Sequence, residues 1–353
     1  NAGSNRILAS NNVQITNVSD NFYMTNAITD SALNMVKNRK KDQPFFLYLA
    51  YTAPHWPLQA LSEDIQLFKG KYNIGWDSLR ALRYQKLKSL EFFHSVPTLS
   101  TRNENVPEWD IYEAKKEAEA KMEVYAAMVY RMDLEIGQLL KTIKDEAIDD
   151  NTVIIFLSDN GACSEDGVSG FDRFKNGATV GGENSFQSYG ESWANACNTP
   201  FRYFKQFTYE GGIATPAFIY WPSKPHTSGI NSNRCHVIDI MPTLLDIANI
   251  KYPQTYNGNK IYKLQGKSLL PYITGKSDKE NHQIMAWEHE GNKAIIFKKW
   301  KCVKNRNSSW EMYNLESDRS ENTNIKNKYL FKFYYMMLLY KQWEIENKVV
   351  KFQ

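Results

Sequence analysis

The segment TVIIFLSDNG, at residues 152–161, constrains the fold of this chain more than any other segment. A continuous run of β-branched and aromatic residues from Val153 to Leu157 is typical of a strand buried on both faces, as in a parallel sheet covered by helices. In such sheets ligands bind at the carboxyl ends of the strands. Asp159 and Asn160 follow this end, so their oxygen atoms predict a site for Ca²⁺ or Mg²⁺. Asp-Asn-Gly is also an ordinary turn sequence, and that interpretation stays open.

A second apolar run leads into a histidine loop. Residues 45–51, FFLYLAY, predict another strand and are followed by TAPHWP. Pro54 and Pro57 keep the backbone on both sides of His55 out of helix, so a stiff loop presents the imidazole. A lone histidine is more often structural than catalytic, but a place at the carboxyl end of a strand favours a function.

A third segment combines basic residues with paired glycines. Residues 198–205, NTPFRYFK, are followed by YEGGIATP and a further apolar run. Gly211 and Gly212 allow a close backbone approach or a positive φ just before a strand. Arg202 and Lys205 offer positive charge to an anionic substrate, although a solvated lysine is the ordinary interpretation.

Taken in chain order, the APHWP loop, the strand ending in SDNG, and the NTPFRYFK and EGGIATP segments resemble an arylsulfatase of the alkaline-phosphatase-like superfamily. Four further segments carry the same resemblance: YNIGWD at 72–77, VYAAM at 124–128, HVIDIMPT at 236–243 and WEHEGN at 287–292. The resemblance covers nearly the whole chain and matches the carboxyl-terminal two-thirds of such an enzyme. It implies an α/β fold, an alkaline-phosphatase-like sandwich with a largely parallel central sheet, plus a small C-terminal antiparallel sheet and helix subdomain.

The resemblance also implies a chemistry. Sulfatases of this type hydrolyse sulfuric esters with Ca²⁺ and a formylglycine, which a maturation enzyme makes from the first residue of a Cys/Ser-x-Pro/Ala-x-Arg motif. Asp159 and Asn160 match the later pair of Ca²⁺ ligands, and Lys205 matches the lysine that holds a sulfate oxygen. His55 matches the histidine near the ester oxygen, where it assists departure of the leaving group. The implied substrate is a sulfated small molecule or glycan, and the family favours a periplasmic or secreted location.

The sequence departs from the family pattern at the nucleophile. The motif contains none of the four cysteines, Cys163, Cys197, Cys235 and Cys302. The pair of aspartates that follows the first strand in the family is missing too. We therefore expect the catalytic domain to lack its N-terminal part, and the 353 residues alone to be inactive.

Composition excludes several classes of function. A net charge of +4 is too small to favour nucleic acid, and no run approaches the ~18 apolar residues that span a bilayer. The cysteine spacing predicts neither a zinc site nor a disulfide framework, although an isolated pair stays possible. A length of 353 residues suffices for one large core and a smaller unit. We assign residues 1–275 to the catalytic domain and 276–353 to the C-terminal subdomain.

Periodicity organises the remaining chain. Apolar residues from Met122 to Ile143 recur at helical spacing and predict an amphipathic helix before the Asp159 strand. Residues 294–297, 300–303 and 310–315 predict three strands, and a helix at about 328–349 is expected to pack on them. For Glu288 and His289, at the expected domain junction, we favour a structural role over substrate contact. We assign no role to His282.

Three hypotheses from different classes follow. The first is a sulfuric ester hydrolase whose nucleophile segment lies outside this sequence. The second is a phosphoesterase or phosphonate hydrolase of the same superfamily, which is disfavoured because no cluster of histidines surrounds Asp159 to hold zinc. The third is an inactive sulfatase remnant.

Overall fold

The computed structural model describes residues 7–90, 93, 97–223, 229–277, 279, 281–350 and 352. The α-helices in this part are α1 Met24–Lys37, α2 Ser62–Gln66, α3 Gly75–Ser89, α4 Lys115–Asp145, α5 Gly190–Cys197, α6 Glu210–Ile213, α7 Ile240–Ile247, α8 Leu270–Ile273 and α9 Leu330–Glu346. The strands are β1 Leu8–Ser10, β2 Val13–Ile15, β3 Ile154–Leu157, β4 Ala217–Tyr220, β5 Thr255–Tyr256, β6 Asn259–Lys260, β7 Ile284–His289, β8 Asn292–Phe297, β9 Trp300–Lys304 and β10 Glu311–Asn314.

The chain divides into two compact units. The first unit contains residues up to 82, together with 103–149 and 163–197. The second unit contains 83–102, 150–162 and the residues from 198 onward. Both units are therefore built from segments that are separate in sequence.

Helix α4 organises the first unit, where α1 and α2 pack against it. Met122 and Ile143 of the predicted stripe are buried, whereas Val129 is 36% exposed. The indole N–H of buried Trp193 donates to the carbonyl of Ala118 in α4 at 2.8 Å. A buried indole needs such an acceptor, so this hydrogen bond fixes α5 against α4.

Strand β3 lies in the second unit and confirms a strand before Asp159, but its four residues are half-buried instead of buried on both faces. It pairs antiparallel with β4, with Leu157 opposite Ala217, so this pair differs from the largely parallel sheet that we expected. A continuous apolar run fits a central strand of either direction. Direction is set by the connection, and here the chain leaves β3 and enters β4 at the same end of the pair.

Residues 45–51, predicted as a strand, lie outside the strands of the structure. Phe46 is 75% exposed and Tyr48 is 80% exposed, while Leu47, Leu49 and Tyr51 are half-buried. The residues alternate as in a strand, but a strand forms only where its backbone groups pair with a neighbour. This prediction of a strand was wrong.

The predicted C-terminal antiparallel sheet is confirmed, and it has the order β10-β9-β8-β7. The predicted strands correspond to β8, β9 and β10, and β7 adds a fourth strand that we did not predict. Helix α9 packs on this sheet through buried Met336 and Tyr340, which join Cys302 and Met312 in one core. The face of α9 that points away from the sheet is exposed to solvent, and Phe331 on α9 is 96% exposed.

Among the described residues, none of the helices combines the length and the apolar character that crossing a membrane requires.

Candidate functional site

The end of β3 and the start of β4 are held together by hydrogen bonds. The Ser158 N–H donates to the carbonyl of Pro216 at 3.2 Å, and the Thr215 hydroxyl donates to the carbonyl of Ser158 at 2.8 Å. The SDNG turn and the EGGIATP segment therefore meet at one edge of the strand pair. The sequence marked both segments but did not show that they meet.

Glycines make this meeting possible. The Gly161 N–H donates to the carbonyl of Gly212 at 3.0 Å. A Cβ on Gly161 would lie 1.9 Å from the carbonyl oxygen of Gly211, and a Cβ on Gly212 would lie 1.9 Å from the carbonyl oxygen of Phe207. The structure thus favours close backbone approach over a positive φ as the reason for the glycine pair.

The backbone of Lys205 is tied to the same turn. Its N–H donates to the carbonyl of Ala162 at 2.9 Å. The Ala162 N–H donates in turn to Asn198 Oδ1 at 3.0 Å, and Asn198 Nδ2 donates to the carbonyl of Tyr203 at 3.0 Å. Asn198 therefore fixes the loop that carries Lys205 against the residues that follow Asn160.

Asp159 is exposed and Asn160 is half-buried on this turn. Together they offer a carboxylate and an amide oxygen, which are hard donors that suit Ca²⁺. Ca²⁺ takes six to eight oxygen ligands, so the pair fits as part of a site and other oxygen atoms must complete it. Lys205, half-buried, adds a positive charge to this part of the second unit.

His55 belongs to the first unit and is exposed in its loop. Its Nδ1 lies 2.9 Å from the carbonyl oxygen of Trp56, which can only accept. Nδ1 therefore carries the proton in the neutral ring, and Nε2 carries the lone pair. The Trp56 ring packs edge-on against Phe171 with 5.1 Å between ring centroids, which holds the loop in place.

Two residues near His55 were not predicted as site residues. Cys163 Sγ lies 3.9 Å from His55 Nε2, and its thiol donates to Glu165 Oε2 at 3.1 Å. The indole N–H of Trp56 donates to the same Glu165 oxygen. No motif marks this group, because His55 and Cys163 lie 108 positions apart.

Arg202 and Glu288, and also His282, to which we assigned no role, have structural partners within the second unit. Arg202 Nη1 donates to the carbonyl of Glu321 at 2.7 Å and to the hydroxyl of Tyr313 at 3.2 Å. Glu288 Oε1 accepts from the Gly291 N–H at 2.8 Å in the β7–β8 turn. His282 Nε2 lies 2.7 Å from Asp239 Oδ1 in a buried pair.

Comparison with known protein families shows to which family this chain belongs. The family model for sulfatases matches residues 1–250. The chain belongs to the sulfatase family. A second family model, for the C-terminal region of N-sulphoglucosamine sulphohydrolase, matches residues 200–347 of this sulfatase chain.

Several curated relatives are similar in sequence. An uncharacterized sulfatase of Schizosaccharomyces pombe is 35% identical over 86% of this chain and 58% of the relative. The arylsulfatase of Klebsiella aerogenes is 37% identical over 72% of this chain and 55% of the relative. This sulfatase chain thus spans little more than half the length of these relatives.

Solved structures show the fold of the sulfatase chain. The crystal structure of Ps i-CgsB covers 96% of this chain, and the chain covers 58% of it, with a TM-score of 0.64 and 24% identity. The phosphonate monoester hydrolase of Agrobacterium radiobacter covers 92% of this chain, and the chain covers 60% of it, with a TM-score of 0.55 and 16% identity. The fold is therefore α/β and alkaline-phosphatase-like, with antiparallel C-terminal sheet strands.

Proposed function

We propose that this chain carries the Ca²⁺- and sulfate-binding part of a sulfuric ester hydrolase of the arylsulfatase type. The observation that supports the proposal most is the hydrogen bond from the Lys205 N–H to the carbonyl of Ala162 at 2.9 Å. It fixes the lysine loop beside the Asp159-Asn160 turn within one compact unit. Membership of the sulfatase family over residues 1–250 supports the same reaction class.

Each proposed residue has a task that follows from sulfate ester chemistry. Asp159 and Asn160 would bind Ca²⁺, which supplies positive charge to the sulfate oxygens when bound. Lys205 would hold a non-bridging oxygen and neutralise the charge that builds up as the ester bond breaks. His55 would protonate or stabilise the leaving oxygen through Nε2.

The nucleophile of the reaction is proposed to be a formylglycine made by a maturation enzyme. The four cysteines of this chain are outside the Cys/Ser-x-Pro/Ala-x-Arg motif. We therefore propose that the nucleophile belongs to sequence outside these 353 residues.

The proposed substrate is a sulfated small molecule or glycan. The Klebsiella aerogenes relative is an arylsulfatase, and a solved structure with a TM-score of 0.59 contains its own substrate, D-glucosamine-2-N,6-O-disulfate. These two names support the substrate class.

Phosphonate ester hydrolysis is the second candidate function. The Agrobacterium radiobacter phosphonate monoester hydrolase shares the fold at 16% identity. Fold at that identity does not distinguish the two reactions, because one fold supports many chemistries. Comparing an aryl sulfate with an aryl phosphonate monoester in one assay separates them.

The DNA immediately upstream of the Asn1 codon tests the proposal. An in-frame Cys- or Ser-x-Pro-x-Arg motif supports the hydrolase, and the product that joins it to this chain is called the motif-bearing protein below. A stop codon between such a motif and Asn1 would contradict the hydrolase and favour the inactive remnant.

A further inference from the structure

We propose that His55, Cys163 and Glu165, together called the thiol cluster, form a binding site for a thiophilic divalent cation such as Zn²⁺. The three side chains offer a nitrogen, a sulfur and an oxygen atom that all lie within 4.8 Å of one another. This donor set differs in kind from the oxygen donors of Asp159 and Asn160. Sulfur and imidazole ligands select Zn²⁺ over Ca²⁺.

The spacing of the donor atoms fits a metal after small movements. Around Zn²⁺, tetrahedral ligand atoms at bond lengths of about 2.0 to 2.3 Å lie about 3.3 to 3.8 Å apart. Cys163 Sγ lies 3.1 Å from Glu165 Oε2 and 3.9 Å from His55 Nε2. The third separation, between His55 and Glu165, is at most 4.8 Å, so side-chain movements of about 1 to 1.5 Å would bring all three donors to tetrahedral separations, and the fourth position would hold water.

Trp56 supplies the outer contacts that metal ligands usually have. Its carbonyl oxygen lies 2.9 Å from His55 Nδ1, so Nε2 is the ring nitrogen that faces Cys163. Its indole N–H donates to Glu165 Oε2. In metal sites the second ring nitrogen of a histidine donates to a carbonyl or carboxylate, and ligating carboxylates are themselves hydrogen-bonded.

Trp56 itself is held by a second layer of contacts. The Arg173 guanidinium carbon lies 4.7 Å from the centroid of the Trp56 ring, and Phe186 packs at 5.8 Å. The outer contacts are therefore preorganised. His55 is exposed, which leaves a path by which a cation can enter.

The direct test of the site is to measure binding of Zn²⁺ and of Co²⁺ to the 353-residue chain in the presence of excess Ca²⁺. Competition against a chromophoric chelator should give one tight Zn²⁺ site, and Co²⁺ should show a thiolate charge-transfer band. Cys163→Ser should remove the band and weaken Zn²⁺ binding about 100-fold or more, since outer contacts alone account for 10- to 100-fold. Trp56→Phe, which removes only an outer contact, should weaken it about 10-fold or more.

Cys235→Ser is the matched control, because Cys235 is an exposed thiol outside the thiol cluster. It should bind both metals as the unchanged chain does. In the unchanged chain, Zn²⁺ should also slow alkylation of Cys163 but not of Cys235, a measurement that needs no folded variant. Equal Zn²⁺ binding by the Cys163→Ser and Cys235→Ser chains, or no protection of Cys163, would overturn the proposal.

A consequence for activity rests on the proposed function. Zn²⁺ in the thiol cluster would occupy His55 Nε2, the atom proposed to serve the leaving group. With Ca²⁺ present, Zn²⁺ should therefore inhibit the motif-bearing protein. When each protein is compared with its own rate in the absence of Zn²⁺, the inhibition should be much weaker for Cys163→Ser. Zn²⁺ binding without inhibition would contradict the role of His55 and leave the metal site supported, so the two failures are distinguishable.

Discussion

At the scale of single residues, Lys205 allows a direct test because its backbone N–H ties the loop to Ala162. Lys205→Ala should keep this backbone hydrogen bond and remove the side chain beyond Cβ, including the ammonium group. We expect kcat to fall and KM to rise in the motif-bearing protein, with a combined cost on the order of 2 to 4 kcal/mol. Lys251→Ala, at an exposed lysine, is the control. Unchanged kinetics of Lys205→Ala would show that this lysine is only surface charge.

The contribution of His55 should depend on the leaving group. An alkyl sulfate releases a poor alkoxide that needs protonation, whereas an activated aryl sulfate releases a stable phenoxide. His55→Ala should therefore slow alkyl sulfate hydrolysis far more than aryl sulfate hydrolysis. Kinetics on both esters, with exposed His289→Ala as the control, measure this difference. Equal losses would indicate that His55 orients the sulfate instead.

The sequence marks some candidate site residues but not others, for a physical reason. Asp159 stands just after an apolar run, so local pattern marks it as a candidate. Lys205 became a candidate through the resemblance to sulfatases. Cys163 and Glu165 acquire their surroundings only when the chain brings His55 and Trp56 to them. Cysteine spacing alone therefore predicted no metal site.

At the scale of elements, Gly161 decides whether the β3 turn and α6 can touch. A Cβ at Gly161 would lie 1.9 Å from the carbonyl oxygen of Gly211. Overpacking of this kind typically costs about 1 to 3 kcal/mol, so Gly161→Ala should lower the free energy of unfolding. Gly137→Ala in α4, where nothing lies within 4 Å, should raise it by about 0.5 to 1 kcal/mol. Urea unfolding compares the two, and equal shifts would contradict the close approach.

A buried ionic group joins α6 to the C-terminal sheet. Lys301 Nζ lies 2.9 Å from Glu210 Oε1 and 2.8 Å from Glu321 Oε1. Burial raises the pKa of Glu321 to about 7, with the Glu210 charge adding and the Lys301 charge opposing. Burial also acts to raise the pKa of Glu210, but the charges of Lys301 and Arg319 outweigh it and lower that pKa.

These shifts predict a pH dependence of stability. A raised carboxyl pKa means that the folded state binds the proton more tightly, so its contribution is present below about pH 4.5 and is lost as the pH rises through about 7. Glu210 has the opposite sign, and its contribution is lost as the pH falls below its ordinary value.

Glu321→Gln should therefore flatten the fall in unfolding free energy between about pH 4.5 and 7, where each pKa unit corresponds to about 1.4 kcal/mol. Exposed Glu316→Gln should leave the fall unchanged. Urea unfolding at several pH values measures both variants. An equal slope in the two variants would contradict the assignment to Glu321.

Sequence patterns predicted some of the strands correctly and others not. The C-terminal strands were predictable because they alternate around a short turn at Lys298, whose φ is 53°. The direction in which β3 pairs was not predictable, since the apolar run from Ile154 to Leu157 suits a parallel or an antiparallel neighbour. Residues 45–51 have strand composition, yet composition does not supply a pairing neighbour.

At the scale of the whole molecule, family membership was predictable because several short segments occur in one order over nearly the whole chain. The division into residues 1–275 and 276–353 stays a prediction. Each compact unit of the structure is built from segments that are separate in sequence. A division of the sequence into two consecutive domains does not predict such units. The chain spans 58% and 55% of two relatives, so activity is argued for the motif-bearing protein.

The central claim is that Asp159 and Asn160 bind the Ca²⁺ used in sulfate ester hydrolysis. The most direct test is the hydrolysis rate of an activated aryl sulfate by the motif-bearing protein as Ca²⁺ is varied. The unchanged protein and Asp150→Ala, an exposed acid before β3, should show saturable Ca²⁺ dependence. Asp159→Ala should be inactive, and in the absence of Ca²⁺ its unfolding midpoint should be unchanged because Asp159 is exposed. Retained activity of Asp159→Ala with the same Ca²⁺ dependence would contradict the account.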